Sequence, residues 1–242
     1  MESFHSKDRN LSEIPAYADN ITTSSLMRRV FLWMFVALGI TAITASYFAN
    51  SGMFTLLFNE NGLSGLGWVA MLCPFVMVIA MNLGLEKMKT STLTVLFIVY
   101  SILMGISLSF IFFTYSGSTI ATTFIITAGM FAAMAIAGAV TNMDLTRFGS
   151  ILFMALIGLI IATLVNMFMH SARLDWITSI AGVLIFTGLT AYDVNSIKRM
   201  SAYIDEGSET AAKMGIYCAL SLYLDFINLF LYILRIFSRS NR

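Results

Sequence analysis

The chain has 242 residues, of which 58% are hydrophobic and only 11% charged, with a formal net charge of +1. A soluble domain of this size carries about 25% charged residues, so the composition excludes an ordinary soluble globule and points to a polytopic membrane protein. A balance so near neutrality offers nothing to nucleic acid.

Residues 1–25 are polar and are expected to form a short flexible tail. The first apolar run begins only near Val30, behind an acidic stretch that makes a poor signal peptide. It is expected to act as an uncleaved signal anchor. A spanning helix needs about 20 mostly apolar residues. Seven segments meet that length: 29–50, 66–85, 92–115, 119–140, 149–169, 176–196 and 214–237. The expected organisation is therefore an all-α transmembrane domain over 26–238 and a C-terminal tail at 239–242.

Pro74 lies inside the second span and should bend it. Gly129, Ala133 and Ala137 recur every four residues in the fourth span, a pattern expected to serve close helix packing. Cys73 and Cys218 sit in apolar runs and read as small packing groups, with no disulfide. Together with His5 and His170 they form no metal-ligand spacing.

Orientation follows from the basic residues. An inside N-terminus puts Lys7, Arg9, Arg28, Arg29, Lys87, Lys89, Arg147, Lys198, Arg199 and Lys213 on the cytoplasmic side. It leaves Arg173, Arg235, Arg239 and Arg242 outside. A cytoplasmic N-terminus is therefore expected, and the C-terminal arginines keep a re-entrant last segment open as the alternative.

The costly residues are two aspartates in the last two spans, Asp193 and Asp225. A carboxylate at the centre of a membrane helix costs about 2.5–3.5 kcal/mol on insertion scales. In the last span, Ser221, Asp225, Asn228, Tyr232 and Arg235 follow helical spacing and share one face. Such a stripe must turn away from lipid, so the last helix is expected at the centre of the bundle, with the other six around it. Interhelical hydrogen bonding alone would also explain Ser221, Asn228 and Tyr232. Counted from the cytoplasmic side, Asp225 lies about 17 Å deep and Asp193 is shallower. If the two carboxyls meet, they would share a proton. Deprotonated, they would offer hard oxygen ligands to Ca²⁺.

ALSLYLDFINLFLYILRIF at 219–237 closely resembles the signature of the Bax inhibitor-1 family, also called the transmembrane Bax inhibitor motif family. TAYDVNSIKRM at 190–200, NMDLTRFGSIL at 142–152 and MRRVFLWMFVALGITA at 27–42 resemble further parts of its pattern. The resemblance implies seven helices with the seventh at the centre. It implies a pH-sensitive calcium leak, with Asp193 and Asp225 as paired sensor and gate, transient ligands to the passing calcium. Tyr192 and the stripe residues would support them. The resemblance also implies a basic latch near the end of the second span, where relatives carry arginine. Here only Lys87 and Lys89 are available, and lysine lacks the bidentate fork of arginine. No cofactor is implied beyond calcium as the transported ion. The expected partners are the lipid bilayer, calcium and protons, and the compact loops and short tail fit a bacterial inner membrane.

Two other functions compete. An aspartyl intramembrane protease also pairs two aspartates on adjacent helices, but this chain has Leu-Tyr-Leu-Asp where those enzymes have Gly-x-Gly-Asp. No enzyme is expected. A non-transporting regulator that binds other membrane proteins, such as a membrane protease, remains the alternative. A retinal Schiff base is set aside, because Lys7, Lys87, Lys89, Lys198 and Lys213 all lie outside the middle of any span.

Overall fold

The computed structural model describes residues 16–59, 62–84, 87–204 and 208–240. Its helices are α1 (Ala16–Asn50), α2 (Gly65–Gly84), α3 (Thr90–Leu108), the single turn α4 (Ile111–Thr114), α5 (Gly117–Val140), α6 (Thr146–Met169), α7 (Ala172–Ser201) and α8 (Glu209–Ser240). Between α1 and α2, Phe58–Asn59 and Gly62–Leu63 pair as a two-residue antiparallel hairpin. Among the described residues, seven helical stretches are long and apolar enough to cross a membrane, with α3 and α4 together forming one of them.

The stretch expected as a tail divides in two. Residues 1–15 lie outside the described residues, and α1 already runs from Ala16. Its apolar span begins only at Ser25. A helix can extend beyond the apolar layer because its backbone satisfies itself whatever the side chains are. The C-terminal tail is likewise helical as far as Ser240, and residues 241–242 lie outside the described residues.

Local signals set the connections. Ser116 and Ser171 cap α5 and α7 by accepting from the backbone N–H groups of Thr119 and Leu174. α7 carries Asp175 in its first turn and Lys198 and Arg199 in its last, matching the helix dipole at both ends. Between α6 and α7 the chain turns on His170, at φ 50°, and Asn166 Oδ1 accepts the Ser171 N–H. So tight a turn makes α6 and α7 antiparallel neighbours.

Pro74 is accommodated within a continuous α2. Proline lacks the N–H that would bond the carbonyl four residues back, at Ala70. The Ser107 hydroxyl of α3 donates to that carbonyl instead.

α8 is the most buried span. Of its most apolar stretch 67% is buried inside the protein, against 11% for α6 and 17% for α2. Its principal neighbours are α1, α3, α5 and α7. α2 packs chiefly on α3, and α6 on α7. The expected ring of six helices around the last thus resolves into four neighbours and two outer helices.

On the α1/α3 side, α8 is fixed by a buried polar chain. Thr41 Oγ1 donates to the Ser101 carbonyl at 3.0 Å, which leaves the Tyr223 hydroxyl to donate to Thr41 at 2.8 Å. Phe97 and Tyr100 meet the Tyr223 ring edge-on.

The small-residue pattern of α5 does not serve internal packing. Gly129, Ala133 and Ala137 are exposed, while Thr123, Thr127, Phe131, Ala135 and Gly138 face inward. Phe131 and Phe124 pack edge-on against Phe226 of α8. Phe131, the threonines and a different pair of small residues, Ala135 and Gly138, form the inward side of α5.

Candidate functional site

The polar stripe of α8 faces α7. Ser221 donates to Asp193 Oδ2. Tyr232 stacks on Phe186, with centroids 5.8 Å apart and planes at 24°. Arg235 Nη1 lies 3.4 Å from Asp175 Oδ1. Residue numbers rise on one helix as they fall on the other, so α7 and α8 are antiparallel and these contacts run along one seam.

That register fixes the relation of the two aspartates. Asp193 sits opposite Ser221, and Ser221 lies one helical turn from Asp225 on the same face, about 6 Å along the axis. Asp193 takes its hydrogen bond from Ser221. Asp225 is only 6% exposed, and its Oδ2 has no hydrogen-bond partner. Depth counting from the sequence placed Asp193 nearer the α7–α8 loop, and the Ser221 contact gives that offset a size of one turn.

On the loop side of Asp193 a cavity of about 190 Å³ opens between α6, α7 and α8. Tyr192, Asp193, Ser196 and Met200 line it from α7, and Tyr217, Cys218 and Ser221 from α8. It is large enough to hold several waters. Polar groups in a membrane span are tolerated where they line such a space.

The other expected residues fall into place separately. The Asn228 side-chain amide donates to the Leu224 carbonyl of its own helix at 2.8 Å. Tyr192 does not join the α8 stripe. Its ring meets Phe153 of α6 edge-on at 6.1 Å and fills the space beside Gly149, so it lines the cavity where α7 meets α6. One residue along a helix is about 100° around it, which is why Tyr192 and Asp193 face different neighbours. Lys87 and Lys89 are exposed, and neither is paired with Asp193.

The basic residues after Asp193 have another task. Lys198 Nζ donates to the Thr141 carbonyl at 3.3 Å, and the Asn195 amide donates to the Gly138 carbonyl at 3.2 Å. Both satisfy carbonyls left open where α5 ends. Arg199 pairs with Asp144 at 2.7 Å. The Thr146 hydroxyl and backbone N–H, with Arg199, hold the Asp144 carboxyl below the usual carboxylate range. The loop end of α7 is thereby tied to the α5–α6 turn.

Asp175 was not singled out in the sequence, because the expected sixth span began at 176. Its signal was spacing: it precedes Asp193 by about five full turns at 3.6 residues per turn, which puts both on one face of α7.

Comparison with known proteins identifies the family. The family described as "Inhibitor of apoptosis-promoting Bax1" matches residues 23–242. The chain belongs to this family. Among its relatives, the inner membrane protein YbhL of Escherichia coli is 44% identical over 212 residues, covering 87% of this chain and 90% of YbhL. A Borreliella burgdorferi protein is 42% identical over 212 residues, covering 88% and 90% of the two chains. A Caulobacter vibrioides protein is 35% identical over 237 residues, covering 93% and 94%. This Bax inhibitor-1 family protein is a multi-pass membrane protein, and its matched region contains every residue of the α7–α8 seam described above.

Proposed function

We propose that this protein is a proton-responsive cation leak of a bacterial inner membrane, with calcium the favoured ion and Asp193 and Asp225 as sensor and gate. It performs no bond-making chemistry and needs no cofactor. The observation that carries this reading is Asp225. A carboxyl buried in the innermost helix, with an oxygen bonded to nothing, contributes no hydrogen bond through that oxygen to the fold. Asp193 lines a cavity and bonds Ser221, one turn from Asp225, and supplies the second carboxyl.

A proton held by the pair cuts its charge from two negatives to one, which lowers the cost of burying it in low dielectric. Without it, two like charges one turn apart repel, and together they suit a divalent cation that prefers oxygen ligands. Either change alters the force holding α8 on α7. The Ser221 hydroxyl keeps Asp193 turned towards α8. Inner-membrane placement draws on the relative YbhL, whose name states it.

The test is calcium entry into proteoliposomes as pH is varied. The intact protein should show flux that changes with pH, and Asp193→Asn or Asp225→Asn should flatten that response. Unchanged flux and pH response in both variants would refute the reading.

A second reading draws on the outward Gly129–Ala133–Ala137 stripe: a non-transporting regulator that packs against another membrane protein. A stoichiometric partner lost on Ala133→Leu, with no flux from the purified protein, would favour it over the leak.

A further inference from the structure

The α7–α8 seam has two ends. The loop end opens into the cavity at Asp193. The other end is filled by the Tyr232 ring. Gly182 lies against that ring so closely that a Cβ there would come within 2.6 Å of Tyr232 Cγ and Cδ2. Phe186 stacks on the same ring. The Arg235 guanidinium lies over it, 5.4 Å from the centroid, and reaches on to Asp175. All three α7 groups in this cluster, Asp175, Gly182 and Phe186, thus converge on one α8 side chain and its cover.

We propose that Tyr232, seated against Gly182 and covered by the Arg235–Asp175 pair, is the second closure of the seam. Its purpose rests on the leak reading, but its geometry does not. Tyr232 lies two turns from Asp225, about 10 Å along α8. A cation that reached Asp225 from the cavity would meet an aromatic wall before the far mouth. The cover is suited to opening. Side chains of Arg235 and Asp175 are 38% and 28% exposed, and ion pairs so exposed hold weakly. The ring itself uses stacking rather than a hydroxyl bond, so closure depends on shape.

The test reads closure directly and flux separately. Asn228 lies one turn inside Tyr232 and is half-buried. With Cys73→Ser and Cys218→Ser as background, Asn228→Cys reports access of a membrane-impermeant maleimide added on the Arg235 side. Labelling should be slow with Tyr232 intact and equally slow in Tyr232→Phe. It should rise several-fold in Tyr232→Ala and Arg235→Gln. It should also rise in Gly182→Ala, which keeps the tyrosine but displaces its ring. Exchange of the charges, Asp175→Arg with Arg235→Asp, should restore protection. The same labelling rate in all variants would overturn the closure. If the variants open to maleimide while the intact protein passes no calcium, the closure stands and the leak reading falls. If the intact protein passes calcium and Tyr232→Ala raises that flux without flattening its pH response, both stand.

Discussion

Asp225 and Tyr223 sit two residues apart on α8 and make opposite demands on the fold. Tyr223 is fully buried, with its hydroxyl bonded to Thr41. Asp225 is nearly as buried, with Oδ2 bonded to nothing. Removing a satisfied buried group costs stability, whereas replacing an unsatisfied one by an apolar side chain relieves its desolvation penalty of about 1–3 kcal/mol. Asp225→Leu should therefore raise the unfolding temperature in detergent, and Tyr223→Phe should lower it. A fall in both would mean that Asp225 has a structural partner. The costly residues were legible in the sequence: membrane carboxylates are conspicuous, and helical spacing put Asp225 on one face with Ser221 and Arg235. Their partners were not. Which residue meets Asp193 depends on the register between α7 and α8, and the loop sequence between them does not specify that register.

At the scale of helices, the spans were legible because each is a long apolar run with polar ends, and their observed limits fall within a few residues of those expected. Which face packs inward was harder to read. In α5 the small residues made the obvious pattern, yet the inward face is built from Phe131, Gly138 and buried threonines. An aromatic side chain can pack on lipid or on protein with similar benefit, so its spacing alone carries little orientation signal. Glycine substitution separates the two faces. A Cβ at Gly138 would run into the Ala191 backbone, and one at Gly105 would lie 2.7 Å from the Thr41 carbonyl oxygen. Backbone cannot move aside as a side-chain tip can, so Gly138→Ala and Gly105→Ala should each destabilise by about 1–3 kcal/mol. Gly129→Ala meets nothing within 4 Å and should leave the unfolding temperature unchanged or slightly raised.

Across the whole molecule, seven crossings by the seven candidate spans would put the start of α1 and the end of α8 on opposite faces of the bilayer. The excess of lysine and arginine favours the α1 side as cytoplasmic. A cysteine introduced at Ser238 should then react with impermeant reagent in intact cells, and one at the α7–α8 loop, at Ala202, only after lysis. Labelling of both in intact cells, or of neither, would refute this topology. The contrast between a buried α8 and two exposed outer helices also bears on how the chain is made. α2 is greasy enough to leave the translocon alone, yet Pro74 strips its Ala70 carbonyl of an internal donor. In hydrocarbon such a carbonyl costs several kcal/mol. Its donor, Ser107, is synthesised 37 residues later. The second helix thus gains its missing donor only when the third packs against it, so release of the two as a hairpin would spare the bilayer a bare carbonyl.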